Sequence, residues 1–128
     1  NIMAQTDCGI FPSRAEGWNL ELLEMLACGK SVITTNYSAH TEFCNDTNSD
    51  LVEIKDTELA YDGKWFQGKC GNWAKISDDQ IDCFVSHMRK IHKCKQDNSL
   101  SVNEDGVDTA NKFSWQKSAL KVKEVLYE

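Results

Sequence analysis

SRAEGWNLELLEMLACGKSVITT, residues 13–35, holds a turn, a helix and a strand in that order. Pro12 to Gly17 are turn-forming residues. The helix is expected from Trp18 to Cys28, with Gly29 at the left-handed position that closes helices. Ser31–Thr35 is short and β-branched, as strands are. Upstream, DCGIF (7–11) is an apolar run halted by Pro12, the pattern of a buried strand. Strand, helix and strand within about 30 residues form a βαβ unit, which implies parallel strands and a right-handed crossover.

After Asn36 the chain turns polar, with a helical turn expected around His40–Phe43 and a third strand at LVEI (51–54). YDGKWFQGKCGNWAKI (61–76) carries three Gly and four aromatics and reads as an ordered loop or hairpin. Ser77 and Gln80 have the spacing of a capping box. The helix behind them carries Ile81, Phe84, Met88 and Ile91 as its expected buried face, to about Lys93. Ser101 and Glu104 suggest a second capping box, opening a weaker helix toward Asn111 that Gly106 softens. Ser114 is expected to cap a last helix with Trp115, Ala119, Val122 and Leu126 along one side. The expected fold class is α/β: one domain over 1–128, with a βαβ core (1–60), a Gly/aromatic loop (61–76) and C-terminal helices (77–128).

The chain has 128 residues, 41% hydrophobic and 27% charged, which suits a single globular domain with a real core. A net charge of −6 with 14 scattered Lys and Arg argues against nucleic acid as a partner. No apolar run approaches the roughly 20 residues that span a bilayer. The start, NIMAQTDCGIF, has no basic n-region and no Met at position 1, and reads as a piece of a longer chain. Cys8, Cys28, Cys44, Cys70, Cys83 and Cys94 form no CxxC or close pair, so reduced thiols in a cytoplasmic protein are expected. His92 and Cys94 are two apart and do not share a helical face, so no metal site is expected where they and His87 approach the end of one helix. Asn36-Tyr-Ser and Asn45-Asp-Thr match the glycosylation pattern by chance alone.

Glu16, Glu21 and Glu24 are the unusual feature of the opening stretch. Leu20, Leu22, Leu23, Met25, Leu26 and Ala27 cover most of the helix circumference, which suggests burial against a parallel sheet. Glu21 and Glu24 would then point into a cleft rather than into bulk solvent. The amides of Gly17, Trp18, Asn19 and Leu20 begin the helix, and that positive dipole end attracts anions such as phosphate. Ligands of open α/β sheets bind at that end of a βα unit. Glu16 and Glu24 lie roughly 12 Å apart at 1.5 Å per residue, on either side of these amides. A nucleoside-diphosphate sugar has a matching layout: sugar hydroxyls, diphosphate, ribose hydroxyls. Two glutamates eight apart also occur as a solvated face.

FPSRAEGWNLELLEMLACGKSVITT (11–35) resembles the C-terminal domain of retaining GT-B glycosyltransferases of the family 4 type, the glycosyl transferases group 1. The shared pattern is Pro-Ser, Glu-Gly, Leu-Glu, Ala-x-Gly-Lys and Val-Ile-x-Thr, with the family's Glu-x7-Glu falling on Glu16 and Glu24. NKFSWQKSAL (111–120) resembles the helix start that closes such domains. The resemblance implies a Rossmann-like parallel sheet, half of the GT-B C-terminal domain, followed by a helical tail. It implies that Glu16 contacts the donor sugar and stabilises positive charge at the anomeric carbon. Glu24 would bind the ribose hydroxyls, and the amides of Gly17, Trp18, Asn19 and Leu20 the sugar and diphosphate. No metal or other cofactor is implied.

The sequence departs from the family at Asn19, where a second Gly is usual, and at Ser31, where Pro is common. His40 is read as structural rather than as a catalytic base, and Trp18 as packing beneath the helix start. The diphosphate-binding Arg and Lys of the family have no match here, and Arg14 does not occupy their place. The expected role is that of a donor-binding half-domain of a hexosyltransferase, inactive alone and partnered by an N-terminal GT-B domain. Its acceptor is a sugar, lipid or protein. Its expected location is cytoplasmic or peripheral at a membrane, and its final helix crosses to the other domain or pairs in a homodimer. Two other classes stay open: a non-catalytic nucleotide-sugar-binding module, and a structural or interaction domain with solvated glutamates.

Overall fold

A computed structural model describes residues 2–127. In chain order it contains α1 (Ile2–Gln5), β1 (Cys8–Phe11), α2 (Leu20–Ala27), β2 (Ser31–Asn36), a 3-10 turn (Ser38–Glu42) and β3 (Asp50–Glu53). There follow β4 (Thr57–Tyr61), β5 (Gln67–Ala74), α3 (Asp78–Gln96), α4 (Glu104–Lys112) and α5 (Trp115–Tyr127).

Strands β1, β2 and β3 make a parallel sheet with β2 in the centre; Cys8 pairs with Ser31 and Ile33 with Asp50. A central parallel strand is covered on both faces, and Val32 to Thr35 are all buried. Val32 packs among Leu22, Leu23, Met25 and Leu26 of α2 on one face. Ile33 packs with Val52 of β3 and with Phe84 and Ile91 of α3 in a second cluster. The strand's period of two thus assigns alternate residues to two helical layers, and the fold is α/β and Rossmann-like. Leu22 and Leu26 are 0% exposed, and truncating such a leucine to Ala typically costs about 2–5 kcal/mol.

Helix α2 ends as its sequence predicts. Gly29, at φ 65°, donates to Leu26 (2.8 Å), and Lys30 donates to Met25 (3.2 Å), the paired bonds of a Schellman cap. The buried face of α3 is rotated from the expected one. Phe84 and Ile91 are inside, but Ile81 and Met88 are 50% and 44% exposed, and Gln80 is buried instead. The capping box supplies the reason. Gln80 Oε1 accepts the Ser77 amide (3.2 Å) while Nε2 donates to the Glu53 carbonyl (3.1 Å), which turns this residue inward over the end of β3.

The start of α4 also differs from expectation: its cap is Asn103, not Ser101. Asn103 Oδ1 accepts the Gly106 amide (2.9 Å), and Nδ2 donates to the carbonyls of Lys30 (3.1 Å) and Asn48 (2.8 Å). Ser114 does cap α5, accepting the Lys117 amide at 3.2 Å. The expected packing side of α5 lies open, with Trp115, Val122 and Leu126 all exposed. The Gly/aromatic stretch is an antiparallel hairpin, β4–β5, whose first strand already begins at Thr57 and pairs there with Ala74. Before β1, residues 2–5 form one helical turn that the sequence pattern did not announce.

Gly106 brings α4 close against Leu26 of α2. A Cβ there would lie 2.9 Å from Leu26 Cδ2 and 2.7 Å from Asn103 Nδ2. Gly106→Ala gains about 1 kcal/mol of helix propensity, but overpacking of this kind costs about 1–3 kcal/mol. The substitution is therefore expected to destabilise by about 1 kcal/mol in urea unfolding, with packing outweighing propensity. A stabilised variant would show that the crossing has room to spare.

Candidate functional site

The chain leaves β1 at Phe11 and enters α2 at Leu20, crossing the carboxyl edge of the sheet through residues 12–19. Side chains of β2 and the following turn hold this loop. Thr35 Oγ1 donates to the Ser13 carbonyl (2.8 Å), and Thr34 Oγ1 to the Phe11 carbonyl (3.3 Å). The Ser38 hydroxyl accepts from the Glu16 amide (3.1 Å) and donates to the Glu16 carbonyl (2.7 Å). The Glu16 carboxylate accepts from Ser13 Oγ at 2.9 Å, leaving that side chain half-buried and oriented.

Asn19 starts the helix in the left-handed region, φ 70° and ψ 75°. Asparagine tolerates that region better than other residues with a Cβ. Its Oδ1 accepts the Leu22 amide at 3.1 Å. Among the described residues, the amides from Gly17 to Glu21 have no acceptor. Gly17 is open to solvent, with nothing within 4 Å of where a Cβ would stand. A run of unpartnered amides at the positive end of a helix, with room beside it, suits an anionic group.

The other expected site residues fall in different surroundings. Trp18 packs against Phe43 and Phe113, ring centroids 5.1 and 5.2 Å away, so its indole serves packing and only its amide is free. Leu20 is 48% exposed. Glu24 lies on an exposed stripe of α2 with Leu20, Glu21, Ala27 and Cys28. The helix is therefore one-sided, not apolar around most of its circumference. Its four buried residues, Leu22, Leu23, Met25 and Leu26, occupy a single face, and Leu20 and Ala27 fall outside it. Neither Glu16 nor Glu24 lines the cavity of about 450 Å³ at the opposite, amino edge of the sheet, beside Ser31, Asn48, Asp50, Lys90 and Asn103.

Two residues shape this edge in ways that sequence pattern did not reveal. Arg14 braces the hairpin against the loop. Its Nε donates to the Ala74 carbonyl (3.0 Å), its carbonyl accepts from the Ala74 amide (2.8 Å), and its guanidinium pairs with Glu58 and lies 3.8 Å over the Trp73 ring. A lone Arg in a turn carries no signal of a partner 60 residues away.

His40 is the second, 0% exposed. Its Nδ1 faces the Thr34 hydroxyl (2.8 Å) and the Thr35 carbonyl (3.1 Å). Both threonine hydroxyls already donate to other carbonyls, so every neighbour of Nδ1 is an acceptor and the proton belongs there. Nε2 faces Asn19 Nδ2 at 2.9 Å. Because Asn19 Oδ1 is fixed on the Leu22 amide, Nδ2 donates and Nε2 accepts. The imidazole is neutral, and burial pushes its pKa below the ordinary value despite the Thr35 hydrogen bond and the nearby Glu16. The ring is buried and its hydrogen bonds run to Thr34, Thr35 and Asn19, so what it does at this edge it does through those residues.

Residues 1–62 match the family model of glycosyl transferases group 1. The match covers slightly less than half of the chain, includes β1 to β3 and the whole loop 12–19, and supports a group 1 glycosyltransferase domain with a role in glycosyl transfer. No curated protein and no solved structure shows a significant match. Among the described residues no helix is long and apolar enough to cross a membrane, and no group of three or more His, Cys, Asp or Glu could hold a metal. All six cysteines are free, and Cys28 is exposed at the end of α2.

Two outcomes are expected from this geometry. Asn19→Ala places a Cβ without a capping group at positive φ and should cost about 1–2 kcal/mol more than Asn19→Gly in denaturant unfolding. Equal costs would mean that the left-handed geometry is not retained in solution. For His40 the folded-state pKa lies below the unfolded one, so the unfolded chain takes up a proton first as pH falls. Stability is then full above the ordinary histidine value of 6.5 and declines below it. Thermal unfolding at pH 8 and 5.5 should show a lower Tm at pH 5.5, with a smaller drop in His40→Gln.

Proposed function

We propose that the loop 12–19 and the first turns of α2 bind a nucleoside-diphosphate sugar for transfer of its sugar to an acceptor. The observation that carries this reading is the run of unpartnered amides from Gly17 to Glu21, at the carboxyl edge of a parallel sheet and within the stretch that matches the group 1 family. In this reading the amides of Gly17, Trp18, Asn19 and Leu20 meet the sugar and diphosphate, where fixed dipoles act without reorganisation. Glu16, held by Ser13 and through its backbone by Ser38, accepts hydrogen bonds from donor sugar hydroxyls. Its charge also stabilises the cation that develops at the anomeric carbon, and transfer proceeds with retention. Glu24, one turn into α2 and open to solvent, accepts the ribose hydroxyls.

The chemistry needs no metal if the diphosphate is neutralised by side chains. The Arg and Lys that do this in the family have no match in this sequence, and Arg14 is engaged by Glu58 and Ala74. We therefore propose that these residues alone bind a donor without transferring it, and that an N-terminal GT-B domain completes the site of a hexosyltransferase. The exposure of Glu24 favours one rival, an interaction domain whose glutamates are merely solvated.

Calorimetric titration with UDP-, GDP- and ADP-sugars separates the two. Glu24→Ala should weaken the best donor by about 1.5–3 kcal/mol, the usual cost of losing hydrogen bonds to a charged group. Unchanged affinity for every nucleotide sugar would sink the donor-binding reading.

A further inference from the structure

The imidazole of His40 and the carboxamide of Asn19 form a single directed chain. Donors run from the Asn19 Nδ2–H into His40 Nε2, and from His40 Nδ1–H into the Thr34 hydroxyl and Thr35 carbonyl; Asn19 Oδ1 closes the first turn on the Leu22 amide. Every member has one orientation only. We propose that His40 is a positioning residue that, through Asn19, couples its own protonation to anion binding at the start of α2.

The coupling follows from the wiring. A proton added at Nε2 would face the Asn19 Nδ2–H across 2.9 Å, donor against donor. Turning the carboxamide over brings Oδ1 to Nε2–H and removes it from the Leu22 amide. The first turn then carries one more unsatisfied donor and a buried positive charge beside its dipole, and both favour an anion. The reverse also holds: an anion seated on the free amides from Gly17 to Glu21 stabilises the imidazolium. Linkage requires the two effects to be equal. Glu16 is the charged group that acts on the ring, from the loop packed over it; β2 and the 3-10 turn contribute Thr34, Thr35 and backbone there. This device rests on the same amides as the donor-binding proposal but does not depend on what the anion is.

Sulfate is the suitable probe, because its own charge does not change between pH 5.5 and 8. In the whole chain its affinity should rise about fivefold or more as pH falls across that range. His40→Gln, whose carbonyl can accept from Asn19 Nδ2 but cannot gain a proton, should flatten the rise. Asn19→Gly, which keeps the backbone geometry and cuts the link, should reduce it. The remaining histidines, His87 and His92, are present in all three proteins and cancel in the comparison. Nitrogen-15 spectra of the imidazole should show the Nδ1–H tautomer at pH 8 and a sulfate-induced upward shift of the His40 titration.

An Nε2–H tautomer at pH 8, absence of sulfate binding, or an equal pH slope in His40→Gln overturns the inference. Nucleotide-sugar titrations fail or succeed independently. Sulfate coupling without any nucleotide-sugar binding would retire the donor reading and keep this one.

Discussion

The carboxyl edge of this domain is organised around a buried neutral imidazole. A histidine ring can accept at one nitrogen and donate at the other only while uncharged, and His40 is placed where both roles are demanded at once. Through Thr34 it reaches the end of β1, through Thr35 the end of β2, and through Asn19 the first turn of α2. Three elements that ordinary apolar packing would leave loosely oriented are thereby fixed in direction. Hydrogen bonds supply what hydrophobic contact lacks, namely geometry.

The opposite edge is built by the same logic with different residues. Asn103 and Asn48 form a second polar junction, where Asn48 Nδ2 donates to the Phe43 carbonyl (2.8 Å) and the Thr109 hydroxyl (3.0 Å). It ties α4 to the end of α2 and to the entry of β3. Between the two junctions lies the apolar mass of α2, β2 and α3, which supplies most of the driving force. Buried amides are costly unless satisfied, so each junction selects a single arrangement of the helices around the sheet.

Much of this was readable from residue order. The β-branched run Val32–Thr35, the Gly29 terminator and the Ser77–Gln80 box declared their elements because each acts locally, within a turn or a strand. What escaped was non-local. The polar member of the Ser77–Gln80 box displaced Ile81 from the core because Gln80 found a carbonyl on β3, a partner no periodicity reveals. The breadth of the α2 apolar surface was overread for a related reason: Leu20 and Ala27 sit at its ends, where residue type says little about depth. Asn19 stood out in the sequence only as a departure from the pattern it resembles. Its left-handed conformation and its bond to His40 are properties of the fold, written in two residues 21 positions apart.

The hairpin of β4 and β5 belongs to neither polar junction and shares no ladder with the main sheet. Buried along it are only Ala60 and Ala74, so its cohesion with the body rests heavily on Arg14. Arg14 stands two residues before Glu16 in a loop only eight residues long. The hairpin tip, with its outward Tyr61 and Trp65, is thus braced by a residue two positions before the glutamate. The protein carries a handle on its surface whose shaft ends at the loop where its most suggestive chemistry is gathered.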